Sequence, residues 1–128
     1  MQASETFRER SWGYKFRCAL RGAKRGIRGE SNFFVHFFAT AAVIAAGVVL
    51  RVDRIEWCLL VLSIVAVLAA EMFNCALEHL AKAITQEHDI HVGDALDIGS
   101  AAVLVTAIGA SIVGAIVFLD RLSVMLNW

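Results

Sequence analysis

The segment Ala69-Ala70-Glu71-Met72-Phe73-Asn74-Cys75-Ala76-Leu77-Glu78 ends a run, Trp57–Ala70, that contains no Asp, Glu, Lys or Arg. A helix rises 1.5 Å per residue, so that run covers about 21 Å of a hydrocarbon core roughly 30 Å thick. Glu71 therefore enters while the chain is still beneath the interface, and Glu78, two turns later, emerges from it. The helical pattern continues to about Ile84. Two more charge-free stretches flank this one, Ser31–Leu50 and Ile98–Leu119, each of about the length that a bilayer core demands. No alternating strand pattern is present, and only helices or closed barrels satisfy the backbone inside lipid. The expected fold is an all-α membrane protein in a single domain, 1–128, with transmembrane helices at about 31–50, 56–84 and 98–119.

Composition leads the same way. Of 128 residues 59% are apolar and 19% charged, mean hydropathy is +0.66 and proline is absent. Those values exclude a disordered tail, a collagen-like repeat and a disulfide-stapled secreted module. They also argue against an ordinary soluble domain, because so small a body has too little interior to hide that much apolar surface. Cys18, Cys58 and Cys75 have no metal-ligand spacing and read as small apolar packers. Ala110 and Gly114 form a small-xxx-small pair on the last span.

The formal net charge is zero, but it is unevenly distributed. Residues 1–30 carry Arg8, Arg10, Lys15, Arg17, Arg21, Lys24, Arg25 and Arg28, whereas Glu71 to Asp97 hold six acids against Lys82 alone. On a helical wheel Arg17, Arg21, Lys24, Arg25 and Arg28 share one arc, and Phe16, Ala19, Leu20, Ala23 and Ile27 lie opposite. An amphipathic helix over about 12–29, lying in the headgroup plane against anionic lipid, follows. Only Arg51 and Arg54 follow the first span closely, so the N-terminus is expected in the cytoplasm. Residues 51–56 and the C-terminus are then outside and 79–97 inside. This places Glu30, Glu71–Glu78 and Asp94–Asp97 on the cytoplasmic side at one depth. The N-terminus is too basic for a cleaved signal peptide, and nucleic acid is not an expected partner.

Glu71, Asn74, Cys75 and Glu78 fall on one stripe of the second span. Ionisable residues inside a span are costly and mark a function by default. Two carboxylates, an amide and a third carboxylate, Glu30, at the same level make an oxygen-rich set of the kind that holds Mg²⁺ together with substrate phosphates. A carboxylate in apolar surroundings also suits a general base. His36, two turns into the first span, reads as a polar packing residue, and His79, His88 and His91 as solvated. No P-loop, kinase glycine loop, nucleophile elbow or dinucleotide fingerprint is present.

Three pieces of this sequence resemble the prokaryotic integral-membrane diacylglycerol kinase and undecaprenol kinase family. Phe16-x-x-Ala19-x-x-Gly22 with its basic neighbours, followed by Glu30-Ser31-Asn32-Phe33, is similar to the family's surface helix and the start of its first span. Glu71 to Glu78 matches the family's E-x-x-N-x-x-x-E stripe, and Asp97-Ile98-Gly99-Ser100-Ala101-Ala102-Val103-Leu104 the start of its third span. The resemblance implies a homotrimer with sites between subunits, transferring the γ-phosphoryl group of ATP to a lipid hydroxyl with Mg²⁺. It implies Glu71 as general base and Glu30 and Glu78 as metal ligands. It also implies Asn74, Asp97, Glu87 and His88 in the nucleotide site, joined there by Glu30 and Glu78. Diacylglycerol is the expected acceptor, from the Gly99-Ser100-Ala101-Ala102 run, with undecaprenol as the alternative. The expected location is the prokaryotic inner membrane, in phospholipid biosynthesis. One departure stands out: family members often have Lys immediately before the equivalent of Asp97, and here Leu96 occupies that place. Either Arg17, Arg21 or Lys24 would then supply the charge for the phosphates, or the nucleotide would be bound differently. A small oligomeric cation transporter using Glu71 is a remoter reading, since a transporter would want its charge near mid-bilayer with access from both sides.

Overall fold

A computed structural model describes residues 11–29 and 32–127, all-helical with four helices. They are α1 (Trp12–Gly29), α2 (Asn32–Val49), α3 (Arg54–Ile84) and α4 (Ile90–Met125). Helices α3 and α4 form a long antiparallel hairpin, α2 leans on both, and α1 rests against α3.

The packing has a simple sequence origin. Inward-facing residues alternate by three and four positions along each long helix, the spacing that lays a continuous seam on one side of it. On α2 the seam is Phe33, His36, Thr40, Val43, Gly47 and Leu50, and on α3 it is Trp57, Leu60, Ile64, Val67, Glu71, Asn74 and Glu78. On α4 it runs through Leu96, Gly99, Val103, Thr106, Ala110, Val113 and Val117. Around the start of α3 the seams meet as an apolar cluster of Val52, Leu60 and Val117, with Val43, Leu50 and Trp57 packed against it. The Trp57 ring lies directly over Gly47, where a Cβ would stand 2.6 Å from the indole, so only glycine admits the contact.

Outside the seams the surface is apolar. Phe34, Phe37, Phe38, Ile108, Ile112 and Ile116 are all more than half exposed. Two helices, α3 and α4, are long and apolar enough to cross a membrane, and only 28% and 6% of their most apolar windows are buried within the chain. A core helix of a soluble protein would bury most of such a window, so these faces require lipid or further copies of the chain. The third expected crossing is shorter: the apolar part of α2 is Phe33–Val49.

Helix α4 extends well beyond the charge-free stretch 98–119, because Asp94, Asp97 and Asp120 occupy outward positions and leave the backbone ladder intact. Its start is fixed by Asp89, whose carboxylate accepts from the N–H groups of His91 and Val92 at 2.9 and 3.1 Å. At its C-terminus α2 closes with Arg51 in the left-handed region (φ 53°), and the Val52 N–H donates to the Gly47 carbonyl.

Helix α3 opens with a reciprocal capping box, in which Glu56 N–H donates to Asp53 Oδ1 and Asp53 N–H to Glu56 Oε2, both at 2.8 Å. Arg121 of α4 reaches the same pair, at 2.6 Å to Glu56 Oε2 and 3.0 Å to Asp53 Oδ2. The end of the bundle at residues 51–56 is thus held by a polar clasp between α3 and α4. Replacing Asp53 by Ala removes the cap and one of the arginine's partners. The expected cost is about 1 kcal/mol, measured as a lower thermal midpoint in detergent; an unchanged midpoint would show that the cap contributes nothing.

Candidate active site

Towards the Glu78 end of α3 the seams stop being apolar. Glu71 and Asn74 take positions that Leu60 and Val67 hold further out, and they are buried for the same geometric reason, at 5% and 8% exposure. The acidic stripe of α3 therefore faces the other helices. Asn74 Nδ2 donates to Glu78 Oε1 at 3.2 Å, while Asn74 Oδ1 is buried with no hydrogen-bond partner. A buried amide oxygen left in this way is uncommon and marks a place where a ligand group can complete the set. Across from it lies Gly99 of α4: a Cβ there would stand 2.6 Å from Asn74 Oδ1 and 2.9 Å from Leu77 Cδ1. Glycine at this position lets α4 come close enough to shut Asn74 in.

Glu71 has a neighbour that sequence reading took for a packing residue. His36 of α2 brings Nε2 to 3.5 Å from Glu71 Oε2, with side-chain exposures of 19% and 6%. The available signal was positional, since His36 falls on the α2 seam between Phe33 and Thr40. From His36 to Phe118 the three helices line a largely apolar, half-open cavity of about 370 Å³, with Thr40, Ser63 and Val67 among its walls. Ala110 and Gly114 line this cavity too, and the nearest neighbour of a Cβ on Gly114 is Phe118 at 3.9 Å, so the small pair faces open space and not a closely packed helix.

Glu78, half-buried, stands at the edge of a second recess of about 460 Å³, formed by the end of α3, the connection 85–89 and the start of α4. Glu87 and His88 line it, presented by a short turn in which the Glu87 N–H donates to Thr85 Oγ1 at 3.0 Å. Leu96 lines it as well, and so does Lys82, which lies one turn beyond Glu78. Lys82 is the one basic residue between Glu71 and Asp97, and its place beside Leu96 was not anticipated from sequence.

Other candidates lie elsewhere. Arg17, Arg21 and Lys24 are exposed on α1. Asp97 is exposed and not part of the recess, one residue around α4 from Leu96, so a single chain does not bring it to Asn74 and Glu78. Glu30 lies outside the described residues. Among the described residues no three of the side chains His, Cys, Asp or Glu converge as a metal site. A hard cation would therefore have to combine Glu78 with oxygens from elsewhere, as Mg²⁺ does when it shares one or two carboxylates with substrate phosphates.

Comparison with known proteins bears on the same residues. The family described as prokaryotic diacylglycerol kinase matches residues 17–118, which include Glu30, Glu71, Asn74, Glu78 and Asp97. An undecaprenol kinase of Bacillus subtilis (strain 168) is 35% identical over 104 residues, covering 81% of this chain and 85% of that protein. A diacylglycerol kinase of Synechocystis sp. is 33% identical over 108 residues, covering 84% of this chain and 62% of that protein, so the chain spans less than two thirds of its length. With the greater part of its length matched, stripe and third-span start included, this chain belongs to the prokaryotic diacylglycerol kinase family.

Proposed function

We propose that the protein is a lipid kinase that transfers the γ-phosphoryl group of ATP to the hydroxyl of a membrane lipid, diacylglycerol first, giving phosphatidic acid and ADP. The observation that carries this reading is the buried Glu71 carboxylate on the same inward seam as the Asn74–Glu78 pair, with Glu78 lining a polar recess. In the transfer the lipid oxygen bonds to the γ-phosphorus, the bond from that phosphorus to the bridging oxygen of ADP breaks, and the hydroxyl proton passes to Glu71. Phosphoryl transfer needs chiefly positioning and charge neutralisation, so few groups suffice.

The residues present fit a Mg²⁺–ATP complex through their donor chemistry. Glu78 offers carboxylate oxygens, Asn74 Oδ1 is a buried oxygen without a partner, and Glu30 would complete the set. When bound, Mg²⁺ supplies neutralisation of the phosphate charge. Glu87 and His88 hold the nucleotide from the recess. Lys82 stands where Leu96 gives no charge, and Arg17, Arg21 and Lys24 approach from α1. Asp97, exposed on the outer side of α4, serves a site on the next subunit of a homotrimer. With α2 as a third crossing the N-terminus and the site are cytoplasmic, on the inner membrane.

The test is purified protein in detergent with Mg²⁺ and γ-labelled ATP, offered diacylglycerol and undecaprenol side by side. Labelled phosphatidic acid is the expected product, and label in neither lipid would remove the kinase reading. Faster labelling of undecaprenol would select the second acceptor, which the relative of nearly equal length, an undecaprenol kinase, supports.

A further inference from the structure

Among the described carboxylates Glu71 is the most deeply buried, and the lipid kinase reading leaves the imidazole beside it, His36, without a role. A carboxylate buried with no donor is costly to charge, and rotation about its last torsion is soft. A base that must meet one hydroxyl needs one oxygen held and the other free. His36 Nε2 faces Oε2 of Glu71 at 3.5 Å from the opposite helix, inside the bundle. An imidazole N–H directed at Oε2 fixes the plane of the carboxylate and leaves Oε1 for the substrate. An imidazole can orient the base through a single N–H, whereas the permanent charge of Lys or Arg would hold the carboxylate ionised and weaken it as a proton acceptor. The separation is longer than a formed N–H···O bond, and such contacts commonly tighten only when substrate is in place. The ring itself is steadied by the walls of the cavity it caps, beside Thr40 one turn further along α2.

We propose that His36 is a positioning residue for the phosphoryl transfer, holding the Glu71 carboxylate so that its free oxygen meets the lipid hydroxyl. This rests on the lipid kinase reading, and the measurements separate the two. His36→Ala is expected to lower kcat by about 10²-fold, the cost of a misplaced catalytic group, with KM for ATP and lipid unchanged. His36→Gln, whose amide N–H can reach towards the same oxygen, restores most of that loss. If the wild type is active and Glu71→Gln is not, an Ala variant at the wild-type kcat, or a Gln variant as slow as Ala, overturns the positioning role and leaves the kinase standing. Nitrogen-15 spectra of the imidazole provide a readout without turnover. The His36 Nε2 resonance is expected to move in Glu71→Gln, and an unmoved resonance overturns the pairing whether or not either lipid is phosphorylated.

Discussion

Glu71→Gln is expected to lower lipid phosphorylation by about 10²- to 10⁴-fold, the range that a positioned acid or base contributes, while the helical bundle stays folded. Glutamine has the same length and shape, so the seam position between Val67 and Asn74 remains filled. What it lacks is a lone pair basic enough to take the hydroxyl proton. Glu71 sits at 5% exposure, so bulk water is poorly placed to substitute for it. The loss should fall on kcat with little change in KM for ATP, because the recess proposed for the nucleotide is lined by Glu78, Lys82, Glu87 and His88 and not by Glu71. Initial rates with labelled ATP and the thermal midpoint of the same preparation check this together. A variant that turns over at the wild-type rate would strip Glu71 of its role as base.

The second large effect is expected at Gly99. A side chain there has no room: its Cβ alone would lie 2.6 Å from Asn74 Oδ1 and 2.9 Å from Leu77 Cδ1. Gly99→Val must push α4 off α3 or drive Asn74 from its place against Glu78. Overpacking of this kind costs about 1–3 kcal/mol, and the displacement of Asn74 should reduce turnover by at least about tenfold. The cause can be separated from general damage. Combining Gly99→Ala with Asn74→Ala removes the opposing atom, so the double variant should regain much of the stability lost by Gly99→Ala alone, yet remain poorly active. Two losses that simply add would show that Asn74 is not what Gly99 accommodates.

Much of this was legible along the chain. The basic and apolar arcs between Tyr14 and Arg28 identify an amphipathic helix without any knowledge of its surroundings, because both arcs are local properties of a helix. The stripe Glu71, Asn74, Cys75 and Glu78 was legible for the same reason, since residues three and four apart on one helix must share a face. Length was less secure. The charge-free stretch 98–119 understates α4, which starts at Ile90, because an Asp at an outward position costs the helix little and Asp89 makes a good cap. The Arg121 clasp onto Glu56 and Asp53 was hidden, since 65 and 68 residues separate the partners and no local pattern joins them.

The linear order of residues thus determined the apolar helices, the basic surface helix and the acidic face, because hydrophobic periodicity and charge placement act within a few turns of one helix. Which groups meet across helices was decided only when α2, α3 and α4 packed together. That step turned the Asn74 oxygen into a buried atom beneath Gly99, brought His36 to Glu71, set Lys82 beside Leu96 and left Asp97 facing outward. Each of these depends on the register and rotation of one helix against another, and that is fixed by the summed fit of whole seams, of which no single residue carries a sign.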